Sequence, residues 1–317
     1  MKELKVKDLE LIGKGMTASV YIIDEKSVIK IFRDVVPMDE IQYEYDCAKR
    51  VENLGITTPK ASEIVKTDGG VGIVYERITG DTLSEKMHED VSKIYDYGVQ
   101  YGEIVKDIHE KKITDNSIIR ASDDFKSFFD NSEDFVSPDE KKELYEYIDM
   151  VPQRDSLLHG DIAPVNIMVQ DGKLYVIDVP TIMVGHPIFD LLQPFTFCKV
   201  TTKLYEDYLS MTEEEKKSPV GIFLSRFGAR YFKPEQSERV WEGFLKGYFG
   251  DIGLEKKDII EYTLNFYNSI KFMGSTKMRA KFGDEVVRFM TDYGRTWLQK
   301  NKDNNDIQSY VMDKSIF

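Results

Sequence analysis

Cysteine is nearly absent from this chain: Cys47 and Cys198 are the only two in 317 residues. Two thiols cannot build a disulfide framework or a cysteine-rich metal cluster. Long apolar runs are missing as well. None approaches the roughly 18 residues that a membrane-spanning helix needs, and the opening MKELKVKDLE has no apolar leader segment. A reducing cytoplasm is the expected compartment. Positive charge is in deficit, with 43 Lys and Arg against 56 Asp and Glu, a net charge of −13. That balance argues against nucleic acid as a partner, because phosphate binding draws on basic surfaces, and against an anionic membrane surface. Glycine and proline are ordinary at 21 and 10 residues, and no internal repeat or low-complexity tract is present.

The residues that are there describe a globular chain. A hydrophobic share of 41% is enough for a sizeable core, and the length suggests about two domains or lobes. The acidity is uneven. Residues 1–80 carry 12 basic and 14 acidic side chains, residues 81–190 carry 11 and 24, and residues 191–317 carry 20 and 18. The excess of negative charge therefore belongs to the middle third.

The first eighty residues read as strands, one helix and tight turns. Leu9–Ile12, Val20–Ile23 and Val28–Phe32 are short β-rich runs separated by glycine or charged residues, a meander of antiparallel strands. From Asp39 to Leu54, apolar residues at Ile41, Tyr45, Ala48, Val51 and Leu54 mark one helix face that Gly55 ends. Ser62–Lys66, the turn Asp68-Gly69-Gly70 and Val71–Glu76 form a further hairpin. Three features here can carry chemistry. Gly13-Lys14-Gly15 lies between two strands, where glycine lets backbone N–H groups approach a phosphate, although most such turns are only turns. Lys30 interrupts the apolar strand Val28-Ile29-Lys30-Ile31-Phe32. Facing solvent it would be unremarkable, but facing inward it needs an anionic partner. Glu40 and Glu44 lie four apart on the helix; they are either a solvated face or the source of that partner.

In the middle of the chain, Val91 to His109 has Ile94, Tyr97, Tyr101, Ile104, Val105 and Ile108 on one stripe, a core helix. A polar turn around His159-Gly160-Asp161 then leads to Ile167-Met168-Val169, the turn Asp171-Gly172 and the returning strand Leu174–Ile177, which ends at Asp178. Such a hairpin brings Asn166 and Asp178 to one end. An amide oxygen and a carboxylate are hard ligands suited to Mg²⁺. Asp161 sits on the loop leading in, where a rigid scaffold commonly presents catalytic groups. His159, before a glycine in a tight turn, reads as a structural hydrogen-bonder rather than a base.

Taken in order, these motifs resemble the aminoglycoside phosphotransferase and choline kinase-like families. Ile12-Gly13-Lys14-Gly15 to Val20 is similar to their glycine-rich phosphate loop, Lys30 to the strand lysine and Glu44 to the helix carboxylate paired with it. Val74 to Leu83 resembles the hinge that binds adenine through its backbone, which implicates Glu76 and Ile78. His159-Gly160-Asp161-x4-Asn166 resembles the catalytic loop, Ile177-Asp178 the metal aspartate, and Gly185-His186-Pro187-x2-Asp190 the segment that supports the loop. The resemblance covers roughly residues 9–195, with its elements in order along the chain. It implies an α+β, bilobal protein-kinase-like fold. Residues 1–78 would be a small antiparallel-sheet N-lobe with one helix, ending at the hinge. Residues 79–317 would be a larger, mainly helical C-lobe. It further implies ATP or GTP and Mg²⁺ as cofactors. Lys30 would hold the nucleotide phosphates, Asn166 and Asp178 the metal, and Asp161 the proton of an acceptor hydroxyl. Two departures stand out. Ala18 replaces the third glycine of the protein-kinase loop, and Pro180 in Asp178-Val179-Pro180 replaces a glycine with a residue that fixes φ.

Only 11 residues separate Asp178 from Asp190, and no Ala-Pro-Glu follows, which leaves little room for a peptide platform. A small-molecule hydroxyl is the expected acceptor, ahead of a protein Ser/Thr kinase substrate or a regulatory module that binds nucleotide without turnover. Residues 121–150 carry 10 acids and 3 bases. Such a run is ordinarily a solvated face, but in a cleft it would favour a cation such as an amino sugar, with neutral sugars and nucleosides left open. The last 120 residues read as helices, with core stripes at Val240, Phe244, Leu245 and Tyr248, at Ile259, Tyr262, Phe266, Ile270 and Met273, and at Val286, Met290, Tyr293 and Trp297. The polar tail Asn301–Phe317 is expected to pack poorly.

Overall fold

The computed structural model describes residues 5–15, 17–114 and 117–301; the tail beyond Asn301 lies outside them. The chain forms two compact units, one of residues up to Lys86 together with Pro164–Ile182, the other of Met87–Ala163 together with the residues from Met183 onward.

The first unit begins with β1 (Glu10–Lys14), β2 (Ala18–Ile22), β3 (Ser27–Phe32), α1 (Met38–Asn53), β4 (Ala61–Thr67), β5 (Gly70–Glu76) and β6 (Asp81–Thr82). The first five strands form an antiparallel sheet in the order β1-β2-β3-β5-β4. β3 sits at its centre, with Val28, Ile29, Ile31 and Phe32 buried. The buried face of α1 is Ile41, Glu44, Cys47, Ala48 and Val51. It is turned slightly from the apolar stripe read in the sequence, so that a carboxylate takes a core position while Tyr45 and Leu54 are half-buried.

After β6 the chain runs through α2 (Leu83–Glu89), α3 (Ile94–Glu110), α4 (Ala121–Ser127), α5 (Pro138–Asp149) and β7 (Ser156–Leu158). It then returns to the first unit as β8 (Ile167–Gln170) and β9 (Lys173–Val176). The physical reason is pairing. β6 is antiparallel to β8 through Asp81↔Val169 and Thr82↔Met168, and Val176 N–H donates to Thr57 O at 2.9 Å. The expected lobe boundary at residue 78 is a single cut, whereas the described chain crosses between units near 86, 163 and 182.

The second unit continues with β10 (Met183–Gly185), α6 (Ile188–Phe195), α7 (Thr201–Ser210), α8 (Pro219–Ser225), α9 (Pro234–Phe249), α10 (Leu254–Met273) and α11 (Arg279–Asn301). β10 pairs with β7, and one π turn, Thr196–Val200, joins α6 to α7. Helices α3 and α9 touch backbone to backbone. A Cβ added at Gly98, Gly102, Gly243 or Gly247 would come within 2.1–2.4 Å of a carbonyl oxygen on the facing helix, so only glycine fits at those four positions. Val240, Phe244, Leu245 and Tyr248 are buried as the stripe predicts. In α10 burial outgrows the stripe. From Thr263 onward it includes Leu264, Tyr267, Asn268 and Ser269 as well, because the helix has neighbours on several sides. In α11 the buried set is Val286, Val287, Met290, Thr291, Gly294 and Leu298, with Tyr293 and Trp297 half-buried.

Candidate functional site

A cavity of about 540 Å³ lies within the first unit and is lined by Gly13, Gly15, Lys30, Glu44, Glu76, Ile78, Asn166 and Asp178. Eight of the nine site residues read from the sequence thus share one cavity. The glycine turn on its rim is braced twice: Gly15 N–H donates to Ala18 O at 2.8 Å, and Arg33 Nη2 donates to Gly15 O at 3.0 Å. Apolar walls come from Ile12, Val20, Val28, Met168 and Ile177.

Lys30 faces inward. Its ammonium donates to Glu44 Oε1 at 2.7 Å and to Asp178 Oδ1 at 3.0 Å. Burial by itself would lower the Lys30 pKa, but the charges of Glu44 and Asp178 and their hydrogen bonds overcome it and raise the pKa. Glu44 is 7% exposed, and it also accepts from the Tyr75 hydroxyl at 3.2 Å. Burial, with the Glu44 charge beside it, pushes that phenol far above its ordinary range. Tyr75 was not singled out in the sequence. Its place on β5, opposite Val28, is the signal that could have found it.

The hairpin positions the remaining pair. Ile177 N–H donates to Asn166 O at 2.9 Å, which closes the β8–β9 end and sets Asp178 just beyond it. Asp178 adopts φ of +61°, a left-handed conformation that aspartate tolerates better than most residues. Its side chain is half exposed and reaches Lys30. The donor chemistry of Asn166 and Asp178 fits Mg²⁺. The ion habitually takes one or two protein oxygens and completes its shell with phosphate and water, and among the described residues no cluster of three or more His, Cys, Asp or Glu offers a full protein cage.

Asp161 lies in the second unit, half-buried, and its Oδ1 accepts from Gln193 Nε2 at 2.8 Å. The loop that carries it is held from below by Asp190. That carboxylate is 1% exposed. Its Oδ2 accepts from His159 N–H at 2.8 Å and its Oδ1 from Gly160 N–H at 2.9 Å. His109 Nε2 adds a third hydrogen bond at 3.0 Å, while His109 Nδ1 meets the Tyr248 hydroxyl at 2.7 Å. Burial favours the neutral acid, yet the hydrogen bonds from His109 and the His159 backbone hold the Asp190 carboxyl below its ordinary value. Gly160 needs its glycine, since its φ is +84°. His159 is buried, and its Nδ1 accepts from Asp161 N–H at 3.3 Å.

Five of the ten acids of the run 121–150 are engaged in ion pairs among the described residues, Glu133 with Lys141 at 4.0 Å and four others. Lys126 meets Asp149 at 2.6 Å, Arg279 meets Asp134 at 2.8 Å, Arg295 meets Glu140 at 2.7 Å and Lys277 meets Asp124 at 3.5 Å.

Comparison with known proteins gives a consistent picture. The phosphotransferase enzyme family, APH, matches residues 8–214. The solved gentamicin complex of APH(2")-IIa is 17% identical, with a TM-score of 0.51 over 95% of this chain and 92% of that one. The ADP-bound aminoglycoside phosphotransferase APH(2'')-Ib is 16% identical, with a TM-score of 0.52 over 92% and 95%. A choline/ethanolamine kinase family protein from Mesorhizobium loti is 14% identical, with a TM-score of 0.51 over 96% and 90%. No curated protein matches the chain. At these identities the likeness is one of fold, and it bears out the α+β, protein-kinase-like architecture.

Proposed function

The chain belongs to the phosphotransferase enzyme family, and on that premise we propose that it transfers the γ-phosphoryl group of ATP or GTP, bound with Mg²⁺, to a hydroxyl of a small molecule. The observation that carries this reading is Lys30, whose single ammonium joins Glu44 and Asp178 inside a cavity rimmed by a braced glycine turn. Phosphoryl transfer asks little covalent chemistry of the protein and much positioning and charge neutralisation. Lys30 holds the nucleotide phosphates and Glu44 fixes its position. The glycine turn offers backbone N–H groups, and the segment Glu76 to Ile78 receives the base. The cavity-bearing unit is accordingly the nucleotide-binding part of the chain.

Asn166 and Asp178 would hold Mg²⁺, which supplies positive charge to the phosphate oxygens. Asp161 accepts the proton of the acceptor hydroxyl and is oriented by Gln193. As the acceptor oxygen forms its bond to phosphorus, the bond to the β-phosphate oxygen breaks and the nucleoside diphosphate departs. A small acceptor is favoured because the 11 residues between Asp178 and Asp190 are largely taken up by a turn in which Ile182 N–H meets Val179 O at 3.4 Å and by β10.

The test is Asp161→Asn, assayed for nucleoside diphosphate release over a panel of amino sugars, nucleosides, hydroxy acids and choline-like alcohols. The wild-type chain should turn over at least one of them. The variant should lose about 10³-fold or more in kcat while still binding Mg-nucleotide. Undiminished turnover by the variant would overturn the assignment.

A further inference from the structure

The second unit contains its own cavity of about 580 Å³, within the size range of small-molecule sites. It abuts the loop of Asp161, since its lining includes Ala163 and Gln193, and Gln193 is the residue that donates to Asp161. The charged side chains lining it are Arg226, Lys271, Lys277 and Lys281, with no Asp or Glu among them. We propose that the phosphoryl acceptor is an anion: a hydroxyl compound that carries a carboxylate or phosphate group on an apolar body. The proposal rests on the phosphotransferase reading and names its acceptor class.

The charge balance of the cavity is one-sided. Lys277 reaches Asp124 at 3.5 Å. Among the described residues, Lys271, Lys281 and Arg226 have no carboxylate within ion-pair distance. The contacts they make are with rings: Lys271 lies 5.9 Å from the Phe128 centroid, while Arg226 and Lys281 lie 4.8 and 4.9 Å from that of Phe282. Asp124, Asp161 and Asp190 act on Lys271 from beyond the lining, but cations gathered on apolar walls with no carboxylate among them raise the potential of the space between them. A bound anion lowers that potential, whereas a cationic amino sugar would raise it. None of the acids of 121–150 lines this cavity, so the wall itself carries no carboxylate to favour the cation that such a run would suit in a cleft.

Asn268 belongs to the cavity wall, where its Oδ1 accepts from the Thr196 hydroxyl at 3.0 Å. Phe197, Phe223 and Phe272 account for the apolar body.

The experiment uses the full chain with Mg²⁺ and whichever binds of adenylyl and guanylyl imidodiphosphate, the non-hydrolysable analogues of ATP and GTP. Calorimetry measures four matched probes: benzyl alcohol, 4-(hydroxymethyl)benzoate, 4-(hydroxymethyl)phenyl phosphate and 4-(aminomethyl)benzyl alcohol. At least one anionic probe should bind about tenfold or more tighter than benzyl alcohol, with the amine weakest. Comparing the two anions separates carboxylate from phosphate. Lys271→Gln should cost that anion about fivefold or more and leave the neutral probe unaffected. Lys281→Gln, at an exposed position that folding tolerates, should act in the same direction. Charge-blind binding, no binding by either anion, preference for the amine or indifference to both substitutions would each overturn the proposal. Failure to bind the Mg-nucleotide would instead strike the phosphotransferase reading, and anion preference can be read independently of it.

Discussion

Lys30 Nζ lies 2.7 Å from Glu44 Oε1 and 3.0 Å from Asp178 Oδ1, so one ammonium ties helix α1 to the end of the β8–β9 hairpin. The residue that neutralises Glu44 is therefore also the one that restrains Asp178. The two carboxylates differ in setting, Glu44 being buried and Asp178 half exposed.

Glu44→Gln keeps the volume and removes the charge. With its anchor gone, Lys30 is held from one side only, and kcat/KM for the nucleotide should fall by about tenfold to a hundredfold. Lys30→Met should cost more, because it also leaves the Glu44 carboxylate buried without a cation. Steady-state kinetics and nucleotide titration of the two variants check this ordering. Equal, unimpaired kinetics would make the pair a structural tie and nothing more.

Gly247→Ala tests the contact between α3 and α9. Its new Cβ would sit 2.1 Å from Val99 O, a clash that only separating the two backbones can relieve. The expected cost is about 3 kcal/mol of stability, read as a lowered midpoint in thermal or denaturant unfolding. Gly253→Ala, where an added Cβ meets nothing within 4 Å, should change the midpoint little and serves as the control.

His186 predicts a particular acid sensitivity. Burial, with the charge of Arg154 and the neighbouring His109, pushes its pKa down to about 3, and its Nδ1 accepts from Ile188 N–H at 3.2 Å. The unfolded imidazole titrates near 6.5. Between those values the unfolded chain binds a proton that the native chain refuses. This contribution is therefore fully present above about pH 6.5 and is lost progressively as the pH falls toward 3. Denaturant unfolding at pH 7.5 and 4.5 should show the wild type losing roughly 2–3 kcal/mol more than His186→Asn. The asparagine Oδ1 takes the place of Nδ1 and can still accept from Ile188 N–H, but it cannot take up a proton. Equal losses in both proteins would remove His186 from the account.

The features legible in the sequence were those with a local signature. Strand alternation located the meander, and the His159-to-Asn166 spacing with the hairpin after it located Asp161, Asn166 and Asp178. In the sequence, the Glu44–Lys30 pair rests on the resemblance and is one of two readings of the helix carboxylates, because apolar periodicity alone does not assign a carboxylate to a core; its partner lies fourteen residues earlier. The features that were hidden depend on distant partners. The glycines at 98 and 102 and at 243 and 247 are each spaced four apart, a visible pattern whose meaning appears only when one helix is set against the other. The acidic run was visible too, but its counter-charges Arg279 and Arg295 lie some 145 to 155 residues further on. The cations around the second cavity come from residues 226 to 281 and form no run at all.

The glycine-lined crossing of α3 and α9 has a consequence for tolerances. His109 is carried by α3, and Tyr248, the residue after Gly247, by α9; their hydrogen bond spans 2.7 Å. Through His109 that bond reaches Asp190, whose two oxygens secure the His159 and Gly160 amides. The separation of two backbones thus acts as a gauge block for a loop that neither helix carries. Its thickness is set by the absence of side chains, and an added methyl group would be an error in the reference dimension. The loop would inherit part of that error, the remainder being resisted by its other supports, Gln193 on Asp161 and the Tyr101 hydroxyl on the Ile162 carbonyl.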